Sequence, residues 1–151
     1  MNTENEELLV YEPNIAIPKG FKDVKNNLYR WEMFKKSCIE RANHHAEGII
    51  NQTKTLLEGI YNNADMIHAK PTDSHGPYTS HCRAVINGKV FLFTYDHELS
   101  GIIIRDRWNK NKCTLFLVID SLTSDKEIET IIQLLILKAR QTFFINTQIM
   151  I

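Results

Sequence analysis

Six glycines and four prolines in 151 residues leave little material for a linker. No stretch is rich in either, no internal repeat recurs and no low-complexity tract interrupts the chain, so one globular domain over residues 1–151 is expected. Cysteine is scarce too. Cys38, Cys82 and Cys113 are odd in number, far apart and never in a CxxC pair, which excludes a disulfide framework and the common zinc patterns. They read as reduced thiols of a cytoplasmic protein. A charge excess is also missing. Eighteen Lys and Arg cancel eighteen Asp and Glu, whereas a dedicated nucleic-acid binder carries a positive surplus that draws in phosphate. Any RNA role then needs a local basic patch.

Long apolar runs are lacking. The windows "TIIQLLILKA" and "TFFINTQIMI" are each shorter than the roughly 20 residues that a bilayer span needs, so no membrane segment is expected. The opening MNTENEELLVY is acidic and has neither the basic start nor the apolar run of a secretory signal. Residues 1–6 are expected to fray, and "ELLVYE" to form a short first strand ahead of the prolines in "PNIAIPKG".

From about Asn27 to Ile60 the pattern becomes helical. Trp31, Phe34, Cys38, Ala42, Ala46, Ile49, Thr53, Leu56 and Ile60 recur every three or four residues, while Arg30, Lys35, Lys36, Arg41, Gln52 and Glu58 fall on a solvated face. Gly48 is the expected break that would turn one long helix into a pair, because Gly inside a helix costs up to about 1 kcal/mol relative to Ala. The polar stretch 68–79 reads as a loop carrying His68 and His75.

After it, Asn87-Gly88 separates "HCRAVI" from "KVFLFT", the strongest short-range hairpin signal, since both residues tolerate positive φ. A two-residue turn there sets Ile86 opposite Lys89 and Arg83 opposite Leu92. Alternation then gives Cys82, Ala84, Ile86, Phe91, Phe93 and Tyr95 one core face, and His81, Arg83, Val85, Val90, Leu92, Thr94 and Asp96 the other. A second hairpin centred on Lys110-Asn111 sorts alike: Ile102, Ile104, Trp108, Leu117 and Ile119 stand with Asp106, and Ile103, Arg105, Arg107, Thr114, Phe116 and Asp120 face away. Joining the hairpins near His97 to Ser100 aligns the apolar faces. The final helix opens at Ser124 and Glu127 in capping-box spacing. The expected fold is α+β: a four-stranded antiparallel β-meander, a long N-terminal helix or helix pair and a C-terminal helix packed on one face, plus the short N-terminal strand.

The uncovered face would gather His81, Arg83, Thr94, Asp96, Arg105 and Arg107. Two functions suit such a face. The first is binding of a partner protein, in the manner of an immunity protein, antitoxin or inhibitor, with Arg83, Thr94, Asp96, Arg105 and Arg107 meeting carboxylates and polar groups. The last helix, with Ile128, Ile131, Ile132, Leu134, Leu135, Ile136 and Leu137, and the tail "FFINTQIMI" would add an apolar surface for that partner or for a homo-oligomer. The second is metal-independent RNA cleavage. His81 would act as general acid or base, Arg83 and Arg105 as phosphate clamps joined by Arg107, Thr94 or Tyr95 would orient the 2′-hydroxyl, and His97 would be a second proton carrier, although alternation places it on the core side. The order strand, long helix or helix pair, antiparallel meander, helix resembles the layout of small bacterial toxins that cut mRNA on the ribosome, which also use basic residues on an open sheet face; no motif matches residue by residue. His68, His75, His81 and Cys82 have neither helical nor finger spacing, so no metal or cofactor is expected. The neutral charge favours the binding reading.

Overall fold

The computed structural model describes residues 16–45, 47–72, 78–107 and 112–149, and only the backbone at 45, 47, 80 and 142–149. Along the chain come β1 (Lys22–Asp23), α1 (Leu28–His45), a 3-10 turn (Glu47–Ile49), α2 (Ile50–Asn63), β2 (Met66–Pro71), β3 (Tyr78–Ile86), β4 (Lys89–Asp96), β5 (Gly101–Arg105), β6 (Phe116–Ile119) and α3 (Asp125–Ile149). The protein is α+β, and among the described residues six antiparallel strands lie side by side in chain order.

The helix pair breaks where Gly48 predicts, in the 3-10 turn between α1 and α2. Asn27 caps α1 by accepting the Arg30 N–H at 3.0 Å. At the start of α3 the capping box closes from both sides: Glu127 N–H donates to Ser124 Oγ at 3.1 Å, and Ser124 N–H donates to Glu127 Oε1 at 3.2 Å. Not all of the outer helical face is solvated. Gln52 Nε2 donates to the carbonyls of Ser121 and Thr123 at 3.1 and 3.2 Å, tying α2 to the segment that leads into α3, and Arg30 Nη1 reaches the Asp23 carbonyl at 3.4 Å.

Both hairpin registers follow the sequence. Asn87 and Gly88 take φ of 49° and 82°, and Ile86 pairs with Lys89, Arg83 with Leu92. In the second hairpin Ile104 pairs with Leu117 and Arg105 with Phe116, the register of a turn centred on Lys110-Asn111. Between the hairpins Phe93 pairs with Ile104, which aligns the apolar faces. Gly101 opens β5 where a Cβ would come 2.6 Å from the Ile119 carbonyl oxygen, so the close approach of β5 to β6 admits no side chain there.

The meander is longer than four strands. "MIHAKP" forms β2 rather than a loop, pairing with β3 on one side and β1 on the other, and His68 is therefore a strand residue. The alternation of Met66, His68 and Lys70 with Ile67 and Ala69 is a strand pattern, masked in the sequence by the polar residues that follow. The expected strand "ELLVYE", and His75 and Trp108, lie outside the described residues.

All three helices contribute to one core on one side of the sheet. Trp31 and Phe34 of α1, Leu56 and Ile60 of α2, and Ile128, Ile132 and Leu135 of α3 pack with Ile67, Ala84, Ile86, Phe91, Phe93, Ile102, Ile104 and Ile119. Each large side chain buried there contributes about 1.5–3 kcal/mol. Among the described residues no helix is long and apolar enough to cross a membrane.

The other side of the sheet, expected to be uncovered, is buried at its centre and open toward His81, Thr114 and Phe116. Val85, Leu92 and Ile103 are buried yet stand outside the helix-side core, and every residue of β5 is buried. The physical reason is composition: Val85, Leu92, Ile103 and Val118 give this face an aliphatic centre, which is stable only out of water.

Lys89 and Asp106 form a buried ion pair. Lys89 Nζ lies 4.0 Å from Asp106 Oδ2, both side chains almost wholly out of water on the helix-facing side. Asp106 also accepts from the backbone N–H of Thr114 at 2.8 Å and of Leu115 at 3.2 Å, and from the Thr114 hydroxyl. Burial alone would raise the Asp106 carboxyl, but these hydrogen bonds and the Lys89 charge outweigh it and hold the group below its ordinary value. Burial pulls the Lys89 ammonium down, with Asp106 opposing. Replacing Asp106 by Ala strands a buried ammonium, and urea unfolding should show a loss of about 3–5 kcal/mol. Because the folded-state value of Asp106 is depressed, its contribution is full above about pH 4 and is withdrawn as pH falls through the lowered value, an acid-side loss that D106A should lack.

Candidate functional site

The registers place Asp23, His68, Arg83, Leu92, Arg105 and Phe116 on successive strands in one transverse row, on the side of the sheet away from the helices. With strands about 4.8 Å apart the row is roughly 24 Å long. Arg83 and Arg105 stand two strands apart with Leu92 between them. Arg83 is half-buried, but Arg105 is only 8% exposed, so the expected pair of solvent-facing phosphate clamps is not presented as an open surface.

The remaining expected site residues are spread around this row. His81 is exposed two residues before Arg83; desolvation by the protein atoms around its ring and then the charge of Arg41 hold its imidazole below the ordinary value. Thr94 and Asp96 are half-buried, and Asp96 Oδ1 accepts the Leu99 N–H at 3.0 Å, which spends part of that carboxylate on the β4–β5 turn. Arg107, past the end of β5, is close enough to Lys89 for its charge to oppose that ammonium. His97 stands on the helix side, as alternation predicts, with its ring edge-on to Tyr95 at 4.9 Å between centroids. Cys82 turns toward the helices whereas His68 and His81 turn away, so these three donors do not converge.

His68 is the residue that sequence reasoning misplaced most. It is 0% exposed, and among the described residues neither ring nitrogen has a hydrogen-bond partner. Burial and then the neighbouring Arg83 charge lower its pKa, with Asp23 acting the other way, so the imidazole is held neutral. Asp23 is itself committed: it accepts from Lys25 N–H at 3.1 Å and Asn26 Nδ2 at 2.7 Å and so fixes the corner between β1 and α1. The sequence signal for His68 was its place in an alternating run beside two apolar residues.

On the helix side two thiols face inward. Burial pushes the Cys38 thiol up to about 12 against the pull of Arg41, and burial with Cys38 as neighbour raises Cys82 as well. Neither is a nucleophile at neutral pH.

The α3 helix has two sides. Ile128, Ile132, Leu135 and Ala139 are buried, while Leu134 and Leu137 are 42% and 52% exposed, one turn apart between Thr130 and Gln141 on the outward face. No protein-family model matches the chain, and no curated protein matches it.

Two outcomes follow. Because its folded-state value is depressed, His68 costs least above its ordinary value of about 6.5, and stability falls as pH drops below that toward the lowered value; thermal unfolding of H68L should show a flatter slope there and unchanged or greater stability at pH 7, because an apolar isostere removes two buried polar atoms that have no partner among the described residues. In native protein at pH 8 a thiol reagent should find Cys113, which is half-exposed, well before Cys38 and Cys82, and urea should expose all three.

Proposed function

We propose that this chain is a protein-binding module of the immunity, antitoxin or inhibitor kind, with its contact surface centred on the outward face of α3. The observation that carries this is the pair Leu134 and Leu137, exposed at one-turn spacing on a helix whose opposite side is already anchored in the core. A rigid helix presenting apolar anchors at that spacing suits an apolar groove on a partner. Arg83 and Arg107, both half-buried, supply charge for a partner's carboxylates at lesser cost than Arg105, which would have to be uncovered first. Thiols at Cys38, Cys82 and Cys113 suit a reducing, cytoplasmic setting. RNA cleavage by His81 with Arg83 and Arg105 draws less support, because Arg105 is buried and does not offer its guanidinium to a phosphate at the surface.

The test is capture from lysate by the tagged full chain and by its L134K/L137K variant, with analysis of protein and RNA in the eluate. These exposed positions should change stability by no more than about 0.5 kcal/mol. A protein recovered one-to-one with the wild type and lost with the variant is the expected result. A partner held equally by the variant, or RNA in its place, overturns it; a second copy of the chain assigns the face to self-association.

A further inference from the structure

A cavity of about 120 Å³ lies between the helix pair and the helix-facing side of the sheet. Its walls are mostly apolar: Phe34 and Ala42 of α1, Leu56 and Leu57 of α2, and Phe93 and Ile102 of the sheet. All six are buried. The space meets solvent beside the exposed His97 and the half-buried Tyr95, whose rings stand edge-on at 4.9 Å between centroids. An entry path therefore lies at the end of β4.

The volume sets the size of an occupant. Drug-sized ligands need roughly 300–1,000 Å³, whereas a cavity of about 150 Å³ lined by Leu, Ile and Phe holds benzene. The space fits a body of about one ring.

The polar groups in the lining set its charge. Thr53 gives its hydroxyl to the Ile49 carbonyl at 2.8 Å, and Arg41 donates through Nη2 to the Tyr78 carbonyl at 3.5 Å, so both are engaged by the protein itself. Cys38 and Cys82 also line the cavity, and burial raises both so that they stay uncharged thiols, which pack as small, soft hydrophobes. Among the described residues no Asp or Glu reaches the lining. An ionic ligand would leave water for walls of this kind at a large desolvation cost, whereas a neutral apolar one gains by the transfer.

We infer that this cavity is a binding site for a neutral apolar molecule of about one ring in size, held by shape and by exclusion from water between α2 and the sheet. The site is separate from the outward face of α3 and does not depend on the protein-binding reading.

Benzene, sodium benzoate and indole are the probes, each titrated into the full chain at pH 7 and followed by amide shifts in NMR. Benzene should bind saturably, with Kd of about 1 mM or tighter and with shifts centred on the amides of Thr53, Leu56, Phe93 and Ile102. Benzoate should bind at least about tenfold more weakly, because its charge loses hydration. Indole, whose fused rings exceed the space, should not saturate by about 5 mM. A42L, which adds a branched chain to the wall, should block benzene while the protein stays folded. The proposal is overturned if benzene does not saturate by about 10 mM, if benzoate or indole binds as tightly as benzene, if the shifts centre on Leu134 and Leu137 instead, or if A42L binds benzene unchanged. Should A42L fail to fold, the smaller A42V and the three-probe comparison on the wild type still decide.

Discussion

The positive φ of Asn87 and Gly88 is the constraint on which the arrangement of the sheet rests. A type I′ turn matches the right-handed twist of its flanking strands and allows one register, and a slip by one residue would exchange the two faces of every strand laid on it. With Ile86 against Lys89, Phe91 and Phe93 go to the helices and Leu92 goes to the other side. The strands that follow inherit this choice through Phe93 and Ile104, and β2 inherits it through Ile67 and Ala84. The row from Asp23 to Phe116 is thus a consequence of one turn near its middle.

That register gives the sheet a centre that is buried on both sides, while His81 and Phe116 on the far side stay exposed. The helix side takes the larger residues, and the far side takes Val85, Leu92 and Ile103 with His68 and Arg105 among them. An arginine placed there is costly to desolvate and cannot also serve as an open electrostatic surface. What burial leaves accessible is the outward face of α3, where the apolar side chains of Leu134 and Leu137 remain in water.

Much of this was legible in the sequence, and the parts that were not have physical causes. The Asn-Gly turn, the capping box at Ser124 and the break at Gly48 are local signals, and each appears where it was read. The second buried face is a non-local outcome, but it left a trace in "GIIIR": three successive isoleucines do not alternate, and a strand apolar at consecutive positions is one buried on both sides. The signal for β2 is weak, because His68 and Lys70 resemble turn residues and only their alternation with Ile67 and Ala69 marks a strand. Helical periodicity puts Arg41 on a solvated face, because it shows which way a residue points and not how far a long side chain reaches across to the sheet.

The two faces treat buried polar groups differently. Asp106 is saturated: two backbone donors, a hydroxyl and an ammonium surround its carboxylate, so the Lys89 pair closes the open end of the second hairpin and penalises any slip that would move Asp106 from its donors. His68 has no such compensation. A buried, unpaired polar side chain costs about 1–3 kcal/mol, which apolar packing at Ile67, Ala69 and Ala84 must offset. Its neutral ring is compatible with the adjacent Arg83, whereas an imidazolium at the same place would meet both a low-dielectric setting and a like charge. The row therefore tolerates His68 only as long as it stays unprotonated, and acidification acts against the far side of the sheet through His68 and against the helix side through Asp106.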